Sequence, residues 1–149
     1  MDRRESAERA VEARLAAGEG FAVATINLDH MVKLRTDPAL RDAYARQPYV
    51  VADGNPIVWP CALAGRQVDL TPWSAPVEPL CALAARMGAP LALLGANDDT
   101  LAAAATKLEA DHPGLKVVAK IAPPYGFDPE GAGADACLDQ VAASGAKLC

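Results

Sequence analysis

Apolar positions along the chain switch repeatedly between two periods. Ala7, Val11 and Leu15 recur every four residues among Arg and Glu, which puts them on one side of a helix over Asp2 to Ala17, stopped by Gly18 and Gly20. The period then changes. Phe21-Ala-Val-Ala-Thr-Ile26 is short, apolar and partly β-branched, as buried parallel strands are. Thr36 and Asp37 ahead of Pro38 provide an N-cap and a first-turn proline, so the spacing predicts a helix from Pro38 to about Arg46. Tyr49-Val-Val-Ala52 reads as a second strand, closed by the turn Asp53-Gly54-Asn55-Pro56. Ile57 to Leu63 reads as a short helix bent at Pro60.

Between Gly65 and Pro76 the residues Pro72, Trp73 and Pro76 interrupt every period, and the stretch reads as a loop. Regular patterning then returns. Val77 to Met87 reads as a helix closed by Gly88, Leu91 to Leu94 as a strand, Thr100 to Asp111 as an alanine-rich helix and Leu115 to Ile121 as a strand. His112-Pro113-Gly114 is the turn between the last two, with His112 expected at the surface. Pro123 to Pro129 is a loop, Ala134 to Ala143 a helix ended by Ser144-Gly145, and Lys147 to Cys149 the start of a further strand.

Strands alternating with helices of about ten residues imply βαβ units. The expected class is therefore α/β: a Rossmann-like parallel sheet with helices on both faces, built as one domain over residues 1–149. The chain stops where a crossover delivers its next strand, so a C-terminal truncation is expected, and the unfinished sheet edge favours a homo-oligomer.

Composition narrows the function. With 52% hydrophobic and 22% charged residues the chain has the balance of a globular domain. A net charge of −5 and scattered Lys and Arg exclude nucleic acid as a partner. Cys61, Cys81, Cys137 and Cys149 lie far apart with no C-x-x-C pair, which argues against structural zinc or a disulfide framework and for reduced cytoplasmic thiols. Met1 to Glu19 lacks an apolar signal core, and no apolar run approaches the ~18 residues that span a bilayer.

In an open α/β sheet, ligands bind beyond the carboxyl ends of the strands. The residues there are Thr25 to His30, Asp53 to Pro56, Gly95 to Asp99 and Pro123 to Asp128. Asp53 is the first candidate, because a carboxylate at a strand end can take a proton from a substrate hydroxyl; the pattern alone favours the other reading, a cap on the short helix that follows. Gly54 is either a turn residue of positive φ or a point where backbone approaches ligand. Thr25 and Asn27 have the groups to bond a sugar or nucleotide, or only to satisfy loop backbone. His30 is a weaker polar candidate. Gly95-Ala96-Asn97, between a strand and a helix, has the form of a phosphate-binding turn but lacks the full G-x-G-x-x-G, and Asp98 and Asp99 suit capping better. No P-loop, H-E-x-x-H or G-x-S-x-G is present, which removes the commonest NTPase, zincin and α/β-hydrolase readings.

The order of these segments is more specific than any one of them. Thr25-x-Asn27 with Asp29-His30, Asp37-Pro-Ala-Leu-Arg41, Ala52-Asp-Gly-Asn-Pro-Ile-Val-Trp59, Leu93-Leu-Gly95, Pro113-Gly-Leu-Lys-Val-Val118, Gly126-Phe-Asp128 and Ala143-Ser-Gly-Ala146 together resemble the WecG/TagA/CpsF glycosyltransferase family from Phe21 to Cys149. The resemblance implies inverting transfer of N-acetylmannosamine or a related hexosamine from a UDP-sugar to a polyprenyl-diphosphate-linked sugar acceptor in cell-surface polysaccharide or teichoic acid synthesis. It implies Asp53 as general base, Thr25 and Asn27 in the same pocket with Gly54 and Asn55, and Gly95 with Asn97 beside the nucleotide. No metal or other cofactor is implied.

Two departures stand out. Trp73-Ser74-Ala75-Pro76 occupies the place of the family's Gly-Ser-Asp-Leu-like segment, and Leu70 and Thr71 stand where an arginine is common. The family also continues past Ser-Gly-Ala into a strand, a Gly-x-Pro-Lys-Gln-Glu motif and a tail that contacts the membrane. The resemblance thus places the protein in the cytoplasm, with peripheral contact to the inner membrane face supplied by a segment this chain lacks. The alternative reading is a UDP-sugar-binding remnant without turnover.

Overall fold

A computed structural model describes residues 3–66 and 77–149, with side chains from Arg9 onward in the first helix. Leu70, Thr71 and Trp73 to Pro76 lie outside the described residues, as does most of the stretch read as a loop. The chain forms two compact units, residues 1–78 and 79–149.

The first unit opens with α1 (Arg3–Ala17), followed by β1 (Val23–Ile26), α2 (Leu28–Lys33), α3 (Pro38–Ala45), β2 (Tyr49–Ala52) and α4 (Asn55–Leu63). β1 and β2 pair in parallel from Val23↔Tyr49 to Ile26↔Ala52, the geometry that a helical crossover produces. Two helices make that crossover, and α2 was not expected. Its cause is local: Asn27 takes extended backbone angles and its Oδ1 accepts the His30 N–H, a side-chain N-cap that starts a helix too short to show a period. In α3 the expected signals operate as read, with Asp37 Oδ1 accepting the Leu40 N–H at 2.9 Å and Pro38 in the first turn.

α4 begins at Asn55, two residues before the expected start, and runs through Pro60 to Leu63. At the other edge of the unit, the Arg14 guanidinium lies 5.5 Å from the ring centres of both Phe21 and Tyr49, which meet edge to face at 5.7 Å. This cation–aromatic cluster fastens the end of α1 to the chain entering β1 and β2.

The second unit takes most of α5 (Val77–Met87), then β3 (Leu91–Leu94), α6 (Asp98–Asp111), β4 (Val117–Ile121) and α7 (Ala132–Ala143). Gly88, at φ +61°, ends α5 as expected: its N–H and that of Ala89 reach back to the carbonyls of Ala85 and Ala84. α6 starts at Asp98 rather than Thr100, because Asn97 is the cap and its side chain accepts the Thr100 N–H. β3 and β4 pair in parallel, with Val118 passed over between the partners Val117 and Ala119. α6 packs on both strands and α7 on β4. Leu148 adds a parallel bridge to Leu91, the expected beginning of a further strand.

The core of this unit gathers Cys81, Ala84, Ala89, Leu91 and Leu115. Leu83, 1% exposed, is the largest fully buried side chain among the described residues. β4 alternates, with Val117, Ala119 and Ile121 turned inward and Val118 and Lys120 outward, the mark of a strand with one wet face. His112 departs from the expected surface position: it is half-buried, with its Nε2 atom out of solvent. The whole is an α/β architecture of helices and short parallel sheets.

Candidate active site

In the first unit the two parallel strands end side by side. The Asp53 N–H donates to the Ile26 carbonyl at 2.8 Å, the bond that closes the last pair of the ladder, Ile26 and Ala52. Asn27 and Asp53 are the residues that follow the two strands. Side chains alternate along a strand, and paired residues of parallel strands share a face. Thr25, paired with Val51, therefore turns to the face opposite the one to which buried Ala52 turns. Thr25, Asn27, Asp53 and Gly54 are half-buried, and Asn55 is exposed.

The local sequence explains why the chain turns here. Gly54, rather than Asp53, occupies the N-cap position of α4, at φ +98° and ψ +141°. Those angles are nearly closed to residues with a Cβ, although an added methyl would make only ordinary contact with the Pro56 ring, at 3.5 Å. Of the two sequence readings of Gly54, the positive-φ turn is the one seen. Asn27 has a structural task, since its Oδ1 holds the His30 N–H at 3.0 Å. Its amide NH2 is chemically a donor and is not what caps α2.

Sequence reasoning passed over Tyr44. Its hydroxyl donates to the Thr25 carbonyl at 2.6 Å and lies 2.8 Å from His30 Nδ1, which is itself 3.2 Å from the same carbonyl. Burial raises the Tyr44 pKa above its ordinary value of 10.0, so the phenol keeps its proton. The signal was available in the spacing. Leu40, Ala43, Tyr44 and Gln47 are the half-buried positions of the α3 segment, at i, i+3, i+4 and i+7. Close by on α2, Asp29 and Lys33 form an exposed pair at 2.7 Å, which lowers the carboxyl pKa and raises that of the ammonium.

Gly95 and Asn97 lie in the second unit, after β3. Gly95 has φ +121° and donates its N–H to Ile121, while Ala96 takes a left-handed φ of +53°, rare for a residue with a side chain. A cavity of about 360 Å³ lies between Ala96, Asn97 and Asp98 on one side and Ala122 to Tyr125 on the other. The Asn97 side chain is engaged as a cap, and Asp98 and Asp99 stand in the first turn of α6. Those carboxylates already complement the positive end of that helix, so a phosphate arriving there meets like charge. Among the described residues no group of three or more His, Cys, Asp or Glu side chains is placed to hold a metal ion, and no helix is long and apolar enough to cross a membrane.

Residues 2–149 match the family model described as the Glycosyl transferase WecG/TagA/CpsF family, and the chain belongs to that family. A search of curated proteins gives no match.

Proposed function

We propose that this member of the WecG/TagA/CpsF glycosyltransferases moves N-acetylmannosamine, or a related hexosamine, from a UDP-sugar to a polyprenyl-diphosphate-linked sugar with inversion at the anomeric carbon. The observation that carries the reading is the fastening of Asp53 to the exit of β1 in a chain matched by the family over residues 2–149. It supports a carboxylate standing beside Thr25 and Asn27 at the carboxyl end of a parallel strand pair, the usual ligand side of such sheets.

In this mechanism Asp53 accepts the proton of the acceptor hydroxyl as its oxygen attacks the anomeric carbon. The new glycosidic C–O bond forms while the bond to the diphosphate breaks, and UDP leaves with the electron pair. Thr25 and the Asn27 amide contribute hydrogen bonds to the sugar, and Gly54 and Asn55 shape the approach of the acceptor. General-base catalysis of this kind contributes roughly 10²- to 10⁴-fold in rate.

The test is UDP release with a lipid-linked N-acetylglucosamine analogue as acceptor, comparing the unsubstituted chain with Asp53→Ala. Loss of release in the variant with retained UDP binding supports the assignment. An unchanged rate removes Asp53 from the mechanism. UDP binding without transfer by the unsubstituted chain would favour the alternative, a chain that holds a UDP-sugar without turning it over.

A further inference from the structure

The strand pair leaves the Thr25 carbonyl at the β1 exit for side chains to satisfy. Carbonyls alternate direction along a strand, so with Ile26 C=O facing β2 and bonded to Asp53 N–H, the Thr25 carbonyl faces the opposite edge of β1. There it meets the Tyr44 hydroxyl from α3 at 2.6 Å and the His30 ring from α2. His30 is held twice, by its N–H on the Asn27 side chain and by its ring on Thr25 and Tyr44. The two anchors fall at Thr25 and Asn27, on either side of Ile26, whose carbonyl holds the Asp53 amide.

Proton counting assigns the ring. A carbonyl oxygen only accepts, so the 2.6 Å contact uses the single proton of Tyr44. His30 Nδ1, near two oxygens and with no proton offered by either, must then be the donor. The neutral ring is therefore the Nδ1–H tautomer, and the lone pair rests on Nε2.

We propose that Tyr44 and His30 are positioning residues which lock the Thr25 carbonyl and thereby hold Thr25, Asn27 and Asp53 at the spacing that sugar transfer requires. The proposal rests on the transferase reading above. It assigns the work to His30 Nδ1 and to the Tyr44 hydroxyl, and none to Nε2.

Side-chain replacement separates these nitrogens, because an asparagine amide nitrogen sits near the place of Nδ1 and a glutamine amide nitrogen near that of Nε2. Steady-state UDP release is measured for Tyr44→Phe, His30→Asn and His30→Gln, with circular dichroism to follow folding. Tyr44→Phe is expected to lower kcat about tenfold while leaving KM for the UDP-sugar within roughly threefold, because misplacement of reacting groups acts on the chemical step. His30→Gln is expected to behave alike, and His30→Asn to recover most of the lost kcat. Equal losses in the Asn and Gln variants, or an unchanged kcat in Tyr44→Phe, overturn the proposal. Should Tyr44→Phe fail to fold, the His30 pair carries the comparison.

If the unsubstituted chain shows no turnover, the transferase reading is what fails. The ring nitrogens of His30, followed by long-range proton–nitrogen NMR together with the backbone amide of Asp53, then decide the clamp. An Nε2–H tautomer, or an Asp53 amide unmoved by Tyr44→Phe, overturns it; an Nδ1–H tautomer with a displaced Asp53 amide upholds it as a device for holding this site.

Discussion

The backbone amide of Asp53 is bonded to the carbonyl of Ile26 at 2.8 Å, so the residue leaving β2 is tied to the last residue of β1. The carboxylate is thereby mounted on two strands rather than on a free loop. Asp53→Asn keeps this main-chain bond and the side-chain size while removing the base. It is expected to retain UDP-sugar binding, measured by calorimetry, and to lose transfer by roughly 10²- to 10⁴-fold.

Asn27 combines a cap with a proposed ligand contact, and chemistry separates the two. Asn27→Asp retains an oxygen for the His30 N–H and is a good cap, but it lacks the amide donor. Its melting temperature is expected to stay close to that of the unsubstituted chain while transfer falls. Asn27→Ala is expected to lose both, with about 1 kcal/mol of stability forfeited with the cap. Thermal melts alongside UDP-release assays distinguish these outcomes.

Gly54→Ala places a Cβ at φ +98° with Pro56 3.5 Å away. The strain is expected to cost at least about 1 kcal/mol, read as a lower urea midpoint. Gly20→Ala is the control, since its φ is outside the left-handed region and nothing lies within 4 Å of the added atom; its midpoint should hardly move.

Much of the fold was legible and the failures are instructive. β2, α5 and β3 fall on the expected residues because each is a dense apolar run with its own stop signal, such as Gly88. α2 was missed since six residues carry too little periodicity, and its one sequence mark, Asn27, reads as a ligand group or as a partner of loop backbone without marking a helix start. α4 extends earlier than expected because proline is well tolerated in a first turn, as Pro56 is here. At the site, Asp53, Thr25 and Asn27 were recognisable as strand exits. Tyr44 showed only as a position on the inner face of α3, and its partner, the Thr25 carbonyl 19 residues away, is visible only in the fold.

Tyr44 also dictates an alkaline response. Its pKa is raised by burial above 10.0, so the folded chain holds the phenolic proton more tightly than the unfolded one. The stability from this group is complete below pH 10.0 and is lost as pH rises through the folded-state pKa. Melting temperatures taken from about pH 8 to about pH 11 should fall more steeply for the unsubstituted chain than for Tyr44→Phe.

Leu83 tests the packing of the second unit. At 1% exposure it has no route to solvent, and Leu83→Ala is expected to cost roughly 2–5 kcal/mol. Urea unfolding followed by circular dichroism measures it.

β3 has neighbours on both sides: the Leu91 amide bonds to Lys116, next to β4, and the Ala92 amide turns the other way to Leu148. Among the described residues β1 pairs with β2 alone, and its far side is closed at Thr25 by side chains. Deuterium uptake should therefore be uniformly slow along β3 but alternate fast and slow along β1, where every second amide faces away from β2. The strand bearing Thr25 would then be the earlier of the two to admit solvent, making its local opening a step through which ligand occupancy can be read as protection.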